Sequence, residues 1–169
     1  SPHWTSYQLA DKRVGAELRF LKGYIESNSK IDFEKLKNLI DEKTRLLILN
    51  SPSNPTSKVI DAKTFSEIVQ IAKSRGVTVM SDEVYADISF VKAKSILDFG
   101  DDQILISGFS KIFAMTGWRI GWAAGNAKII GGLGRIKSNI DSGIFEAIQV
   151  AGIEALDGDQ QCLTDMRRI

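Results

Sequence analysis

Short unbroken apolar runs alternate along this chain with longer stretches of helical period, and that alternation restricts the fold more than any other feature. Leu46-Leu47-Ile48-Leu49 and Ile104-Leu105-Ile106 carry no polar residue at alternate positions. A strand that is apolar in both directions is covered on both faces, as in a parallel sheet. Between such runs the period changes. In 32–40, Phe33, Leu36, Leu39 and Ile40 fall on one helical face behind Asp32, a side chain suited to cap a helix start. In 61–75, Phe65, Ile68, Val69 and Ala72 form the inward stripe, and Gly76 is placed to end the helix. The pattern predicts strands at 14–20, 45–50, 77–80, 104–107 and 120–124. It predicts further helices at 128–140 and 143–156, with Asp141 or Ser142 capping the second. Glycines 131, 132 and 134 weaken the first of these, each costing about 1 kcal/mol against alanine. The fold class that follows is α/β, a mainly parallel sheet with flanking helices.

A chain of 169 residues, 43% hydrophobic and 25% charged, is the size and composition of one globular domain with a real core. Its 22 basic and 21 acidic side chains leave a net charge of +1, so bulk charge points to neither a nucleic-acid nor a membrane partner. No apolar run approaches the ~20 residues of a membrane span. The single cysteine, Cys162, has no internal partner for a disulfide and fits a cytoplasmic setting. Ser1-Pro2-His3-Trp4 is not expected to be a signal peptide.

In a parallel α/β sheet, ligands bind beyond the carboxyl ends of the strands, and polar clusters of this chain fall at three such ends. After 45–50 comes Asn50-Ser51-Pro52-Ser53-Asn54-Pro55-Thr56. Local pattern alone reads this as a strand-to-helix turn; the functional reading is an Asn54 amide held rigidly by the flanking prolines. After 77–80 comes Ser81-Asp82-Glu83-Val84-Tyr85. Asp82 reads either as a helix cap or as an anion held beneath a ring nitrogen. Tyr85, three residues on, reads either as a packing aromatic or as a partner of Asp82 on one turn. After 104–107 comes Gly108-Phe109-Ser110-Lys111, with Arg119 eight positions past the lysine. A lysine forms an imine with an aldehyde, and an arginine grips a phosphate with two parallel hydrogen bonds. Pyridoxal 5'-phosphate carries both groups.

The order and spacing of these runs, together with Met115-Thr116-Gly117-Trp118-Arg119-Ile120-Gly121-Trp122 and Pro2-His3-Trp4-Thr5-Ser6-Tyr7, resemble the fold type I pyridoxal-phosphate enzymes, the class I and II aminotransferases of the aspartate aminotransferase superfamily. The resemblance covers nearly the whole chain. It implies a three-layer αβα large domain, of which residues 1–169 are a part. The phosphate-cupping N-terminal segment and the C-terminal small domain, with its arginine for the substrate carboxylate, would lie outside these residues. It also implies roles. Lys111 would carry the cofactor as a Schiff base and move the substrate's α-proton. Asp82 would hold the pyridine nitrogen protonated. Tyr85 and Asn54 would hydrogen-bond the ring oxygen, Trp4 would stack on the ring, and Arg119 with Ser110 would hold the phosphate. The activity implied is transamination between an amino acid and a 2-oxo acid in a cytoplasmic homodimer.

Within the family, the 115–119 run is similar to the prokaryotic aspartate-type branch. The run Lys137-Ser138-Asn139-Ile140-Asp141-Ser142-Gly143-Ile144-Phe145 is also similar to LL-diaminopimelate aminotransferases. A reading from another class is a fragment that folds and associates without turnover. Two departures from the family pattern stand out. Gly108 replaces a serine three residues before the lysine, so a phosphate donor is missing or is supplied by Ser107. Ser57 follows Asn54-Pro55-Thr56 where the family has glycine, and serine tolerates a positive φ less readily. His3, the one histidine, is expected to be a packed or exposed neutral side chain beside Trp4.

Overall fold

A computed structural model of the chain describes residues 3–21 and 30–168. Among them, four strands form one sheet in sequence order: β1 (Leu46–Asn50), β2 (Thr78–Asp82), β3 (Ile104–Gly108) and β4 (Gly121–Gly125). The first three run parallel, with Asn50 opposite Asp82 and Asp82 opposite Ile106. Their carboxyl ends therefore open on the same side. β4 turns back antiparallel, pairing Gly108 with Gly121 and Ile104 with Gly125.

Helix α1 (Ser6–Val14) precedes α2 (Phe33–Leu39), and α3 (Ala62–Ser74) crosses from β1 to β2. The expected Asp32 cap forms, its carboxylate accepting the Lys35 N–H at 3.0 Å; Asp61 caps α3 in the same way, accepting the Thr64 N–H at 2.9 Å. Gly76, at φ +66°, ends the α3 segment in the left-handed conformation that glycine adopts most readily. The α3 stripe is realised as read: Phe65, Ile68, Val69 and Ala72 are buried with Leu36, Ile40, Val79, Ile96 and Leu105 in one apolar cluster. Beyond the sheet lie α5 (Ala127–Ile140), α6 (Glu146–Asp157) and α7 (Gln161–Met166); the one-turn α4 (Phe109–Ile112) directly follows β3. Helix α5 runs unbroken through glycines 131, 132 and 134.

Two expectations are corrected. Residues 16–20 have no regular structure, and Val14 ends α1 with its side chain 78% exposed, so the strand expected at 14–20 is absent. A strand is defined by its ladder, and the four paired strands of the described sheet leave this segment without one. Neither Asp141 nor Ser142 caps α6. Asp141 instead closes α5, its N–H donating to the Lys137 carbonyl at 3.1 Å and its carboxylate pairing with the Lys137 ammonium; α6 begins only after Phe145.

Close approach of backbone fixes how β4 meets β3. Gly125 has φ +132°, and a Cβ built there would lie 2.0 Å from the Gln103 carbonyl oxygen. That oxygen accepts the Asn126 N–H at 2.9 Å, and the Asn126 side chain in turn caps α5 through the Ile129 N–H. Only glycine fits where strand, turn and helix start converge.

Candidate active site at the strand ends

Each parallel strand delivers one polar group to the open end of the sheet. At the end of β1, the Asn50 amide donates to the Asp82 carbonyl at 3.0 Å and its oxygen accepts the Asn54 N–H at 2.7 Å. Asn50 thus ties the 51–57 loop to β2 and sets where Asn54 stands. Both X–Pro bonds of this loop, Ser51-Pro52 and Asn54-Pro55, are cis. Ser57 has φ +55°, the left-handed region expected of the family's glycine. The turn keeps that conformation, and serine carries a local cost of about 1–2 kcal/mol for it.

At the end of β2, the half-buried Asp82 carboxylate accepts the Tyr7 O–H at 2.5 Å on one oxygen and the Val84 N–H at 3.3 Å on the other. Burial first, and then this hydrogen bond, push the Tyr7 phenol above its ordinary value. Among the described residues no cation pairs with Asp82. A partly buried carboxylate with two neutral donors among the described residues retains acceptor capacity for a cationic group.

Tyr85 stands beside this carboxylate's strand, just before a 3-10 turn at Ala86–Ile88. The Asn54 amide lies 3.5 Å from the Tyr85 hydroxyl, and the Lys111 ammonium stands 5.8 Å from the centre of the Tyr85 ring. Lys111 is in α4, so its amine rises immediately past the end of β3. The sequence-predicted Asn54, Tyr85 and Lys111 are therefore brought together, with Asp82 on the strand that leads to Tyr85. Trp4 joins through the chain: its carbonyl accepts the Tyr7 N–H at 3.3 Å, and its indole is 51% exposed. Pro2, part of the same run, lies outside the described residues. His3 is half-buried, its ring stacked on Phe20 with centroids 4.3 Å apart.

Arg119 is exposed and is tied to α4 through Thr116. Its guanidinium donates to the Thr116 carbonyl at 2.8 Å, and the Thr116 hydroxyl donates to the Ser110 carbonyl at 3.0 Å. At Gly108, a Cβ would lie 3.3 Å from the Ile120 carbonyl oxygen, a tight but not closed space for the serine absent there. Ser107, the alternative donor, is half-buried and sits opposite Trp122 in the β3–β4 ladder.

Three supporting residues escape a reading of strand ends: Tyr7, Asn50 and Thr116. Tyr7 and Thr116 each contribute one side-chain hydrogen bond to a residue already singled out or to its immediate backbone, and Asn50 contributes two. Tyr7 lies in the run with Trp4, but nothing local in it shows that its hydroxyl meets a carboxylate 75 positions away.

The donor set is an amine, an uncompensated carboxylate, a phenol beside an amide, and an exposed guanidinium. It suits a ligand with an aldehyde, a basic ring nitrogen, a ring oxygen and a phosphate, which is the chemistry of pyridoxal phosphate. Comparison with known proteins bears on the same point. The profile of the family described as Aminotransferase class I and II matches residues 1–169. An aspartate aminotransferase of Bacillus sp. (strain YM-2) is 39% identical over 173 residues, covering 99% of this chain and 44% of that protein. An LL-diaminopimelate aminotransferase of Syntrophobacter fumaroxidans is 35% identical, covering 100% of this chain and 45% of that one. The crystal structure of an aspartate aminotransferase from Thermotoga maritima superposes with a TM-score of 0.92 at 31% identity, over 99% of this chain and 46% of that one. The chain spans a little under half the length of each of these relatives. Because that profile matches this chain from its first residue to its last, the chain belongs to the class I and II aminotransferase family.

Proposed function

We propose that this chain supplies the cofactor-holding core of a pyridoxal-phosphate-dependent aminotransferase, which transfers an amino group from an amino acid to a 2-oxo acid. The observation that carries the reading is the convergence of Lys111, Tyr85 and Asn54 beside an Asp82 carboxylate that no cation pairs with among the described residues. Bound at these strand ends, the cofactor supplies an electron sink for the charge left when a substrate α-proton departs.

The chain's own residues do the rest. Lys111 Nζ would hold the cofactor through its aldehyde group, and the same amine, when not so engaged, would be the base placed to take the substrate α-proton and return it. The Tyr85 ring face steadies the amine while it is charged, an attraction of about 0.5–1 kcal/mol at an exposed site. Asp82 holds the proton on the pyridine nitrogen, since an adjacent anion favours the charged form. Tyr7 and Val84 fix that carboxylate's orientation. Asn54 and Tyr85 hydrogen-bond the ring oxygen, Trp4 covers a ring face, and Arg119 with Ser110 holds the phosphate.

Residues 1–169 are, on this reading, part of the large domain of a longer fold type I enzyme that works as a cytoplasmic homodimer. Two features support the association: Leu133, Ile136 and Ile140 of α5 and Val150, Ile153 and Leu156 of α6 are all exposed, and apolar surface of that extent marks a contact face. Among the described residues no helix is long and apolar enough to cross a membrane. We assign the substrate as aspartate-type. The 35% identity to the Syntrophobacter relative supports LL-diaminopimelate as the second reading.

The test is titration of the intact protein and of Lys111→Ala with pyridoxal phosphate, read by the absorbance near the visible edge that attachment to a lysine amine produces. The band forms in the parent and is missing in the variant. Its absence from the parent overturns the reading. A band without amino transfer from any of a panel of amino-acid donors identifies instead a chain that binds without turnover. Among active outcomes, preference for aspartate or for LL-diaminopimelate separates the two substrates.

A further inference from the structure

We propose that Thr116 is the positioning residue that keeps Arg119 in register with Lys111, an inference that rests on Arg119 holding the cofactor phosphate. Thr116 opens the single 3-10 turn Thr116–Trp118 between α4 and β4. It is bonded in both directions. Its hydroxyl donates to the carbonyl of Ser110, the residue before Lys111, at 3.0 Å, and its own carbonyl accepts the Arg119 guanidinium at 2.8 Å. One residue thus joins the lysine-bearing turn to the arginine side chain.

The backbone here needs holding. Ala114 and Arg119 both have φ +53°, so two residues other than glycine occupy the left-handed region on either side of Thr116. Such conformations persist only where the surroundings over-determine them. Backbone bonds from Met115 to the Phe109 carbonyl at 3.4 Å and from Trp118 to the Met115 carbonyl at 3.1 Å close the turn. The Thr116 hydroxyl adds the side-chain link back to α4. A guanidinium has five N–H donors, so the bond to Thr116 aims Arg119 and leaves it able to grip a phosphate.

The experiment compares pyridoxal phosphate with pyridoxal, which has the same aldehyde and ring but no phosphate, by absorbance titration of the intact protein. Thr116→Val keeps the shape and removes the hydroxyl. It should weaken pyridoxal phosphate roughly three- to tenfold, the loss of one hydrogen bond, and leave pyridoxal binding unchanged. Thr116→Ser, which keeps the hydroxyl, should restore the parent affinity. Arg119→Met should lower the ratio of the two affinities further. Equal weakening of both ligands by Thr116→Val, or no weakening of either, overturns the proposal. If Arg119→Met lowers the ratio and Thr116→Val does not, Thr116 alone loses its role. If Arg119→Met leaves the ratio unchanged, the phosphate reading fails and takes the proposal with it.

Discussion

Replacing Tyr7 by phenylalanine removes a single hydroxyl from the candidate site and leaves the ring in place. That hydroxyl donates to the Asp82 carboxylate at 2.5 Å and links the N-terminal helix to the end of β2. A hydrogen bond to a charged acceptor contributes roughly 1.5–3 kcal/mol. Tyr7 and Asp82 are only half-buried, so water replaces part of what is lost, and the expected destabilisation of Tyr7→Phe is about 1–2 kcal/mol. The pH dependence gives a sharper check. The folded Tyr7 phenol is raised above its ordinary value of 10.0, by burial first and the Asp82 bond second. A folded pKa above the unfolded one means the native chain holds this proton more tightly. The contribution is therefore present in full below the unfolded pKa and is lost as the pH climbs past it. Urea unfolding of the intact parent and Tyr7→Phe should show a constant gap between about pH 7 and pH 9 that narrows above about pH 10. A gap under about 0.5 kcal/mol at neutral pH, or one that stays level into the alkaline range, refutes the reasoning.

Substitutions at two further positions probe the frame beneath the site. Glu83 is buried at 4% exposure beside Asp82, and its carboxylate accepts the Ile96 N–H at 2.7 Å. Burial raises its pKa above 4.5; ionisation is then disfavoured in the fold, so stability declines as the pH rises from the unfolded value through the folded one. Glu83→Gln keeps the acceptor without the charge and should flatten that decline, matching or exceeding the parent at neutral pH in thermal melts. Glu83→Ala orphans the Ile96 N–H and should cost about 1–3 kcal/mol in the same melts. Gly125→Ala places a Cβ 2.0 Å from the Gln103 carbonyl oxygen at φ +132°. Its cost should exceed about 3 kcal/mol, and an unfolding midpoint within error of the parent would show that the β3–β4 junction is not as tight as drawn.

The alternation of strands and helices is legible in the sequence because its cause is local. In β3, Ile104 and Leu105 point to opposite faces and are both buried, so the run is apolar at successive positions; β1 is less fully covered than its apolar run suggests, with Leu46 42% exposed and 47–49 partly buried, whereas α2 and α3 bury one stripe each. Asp32 announces a helix start because a capping carboxylate needs only the N–H group three residues on. Helix α1 is hidden for the converse reason: Ser6–Val14 is a polar stretch with no clear apolar stripe. The direction of β4 is not written in Gly121–Gly125 either. It follows from the link. Between Gly108 and Gly121 the chain forms only one α-helical turn and one 3-10 turn. That link holds no helix long enough to cross a face of the sheet as α3 does, and the chain returns antiparallel.

The same division runs through the site. Asn54, Asp82 and Lys111 can be found by counting along the chain, because a strand end is a sequence-local event and the groups just past it are exposed together once the strands run parallel. What aims those groups cannot be counted. Tyr7 meets Asp82 across 75 positions, Asn50 meets it across 32, and Thr116 fixes Arg119 through the Ser110 carbonyl. Residues 14–20 show the limit from the other side: a strand-like composition is only half of a strand, and without a neighbouring ladder Val14 closes α1 while 16–20 stay irregular, with Phe20 stacked on His3. Chemistry in this chain is thus encoded where strands stop. Its precision is encoded in contacts that exist only after the sheet has formed, and these supporting residues are where substitutions should alter affinity and pH response without removing a reacting group.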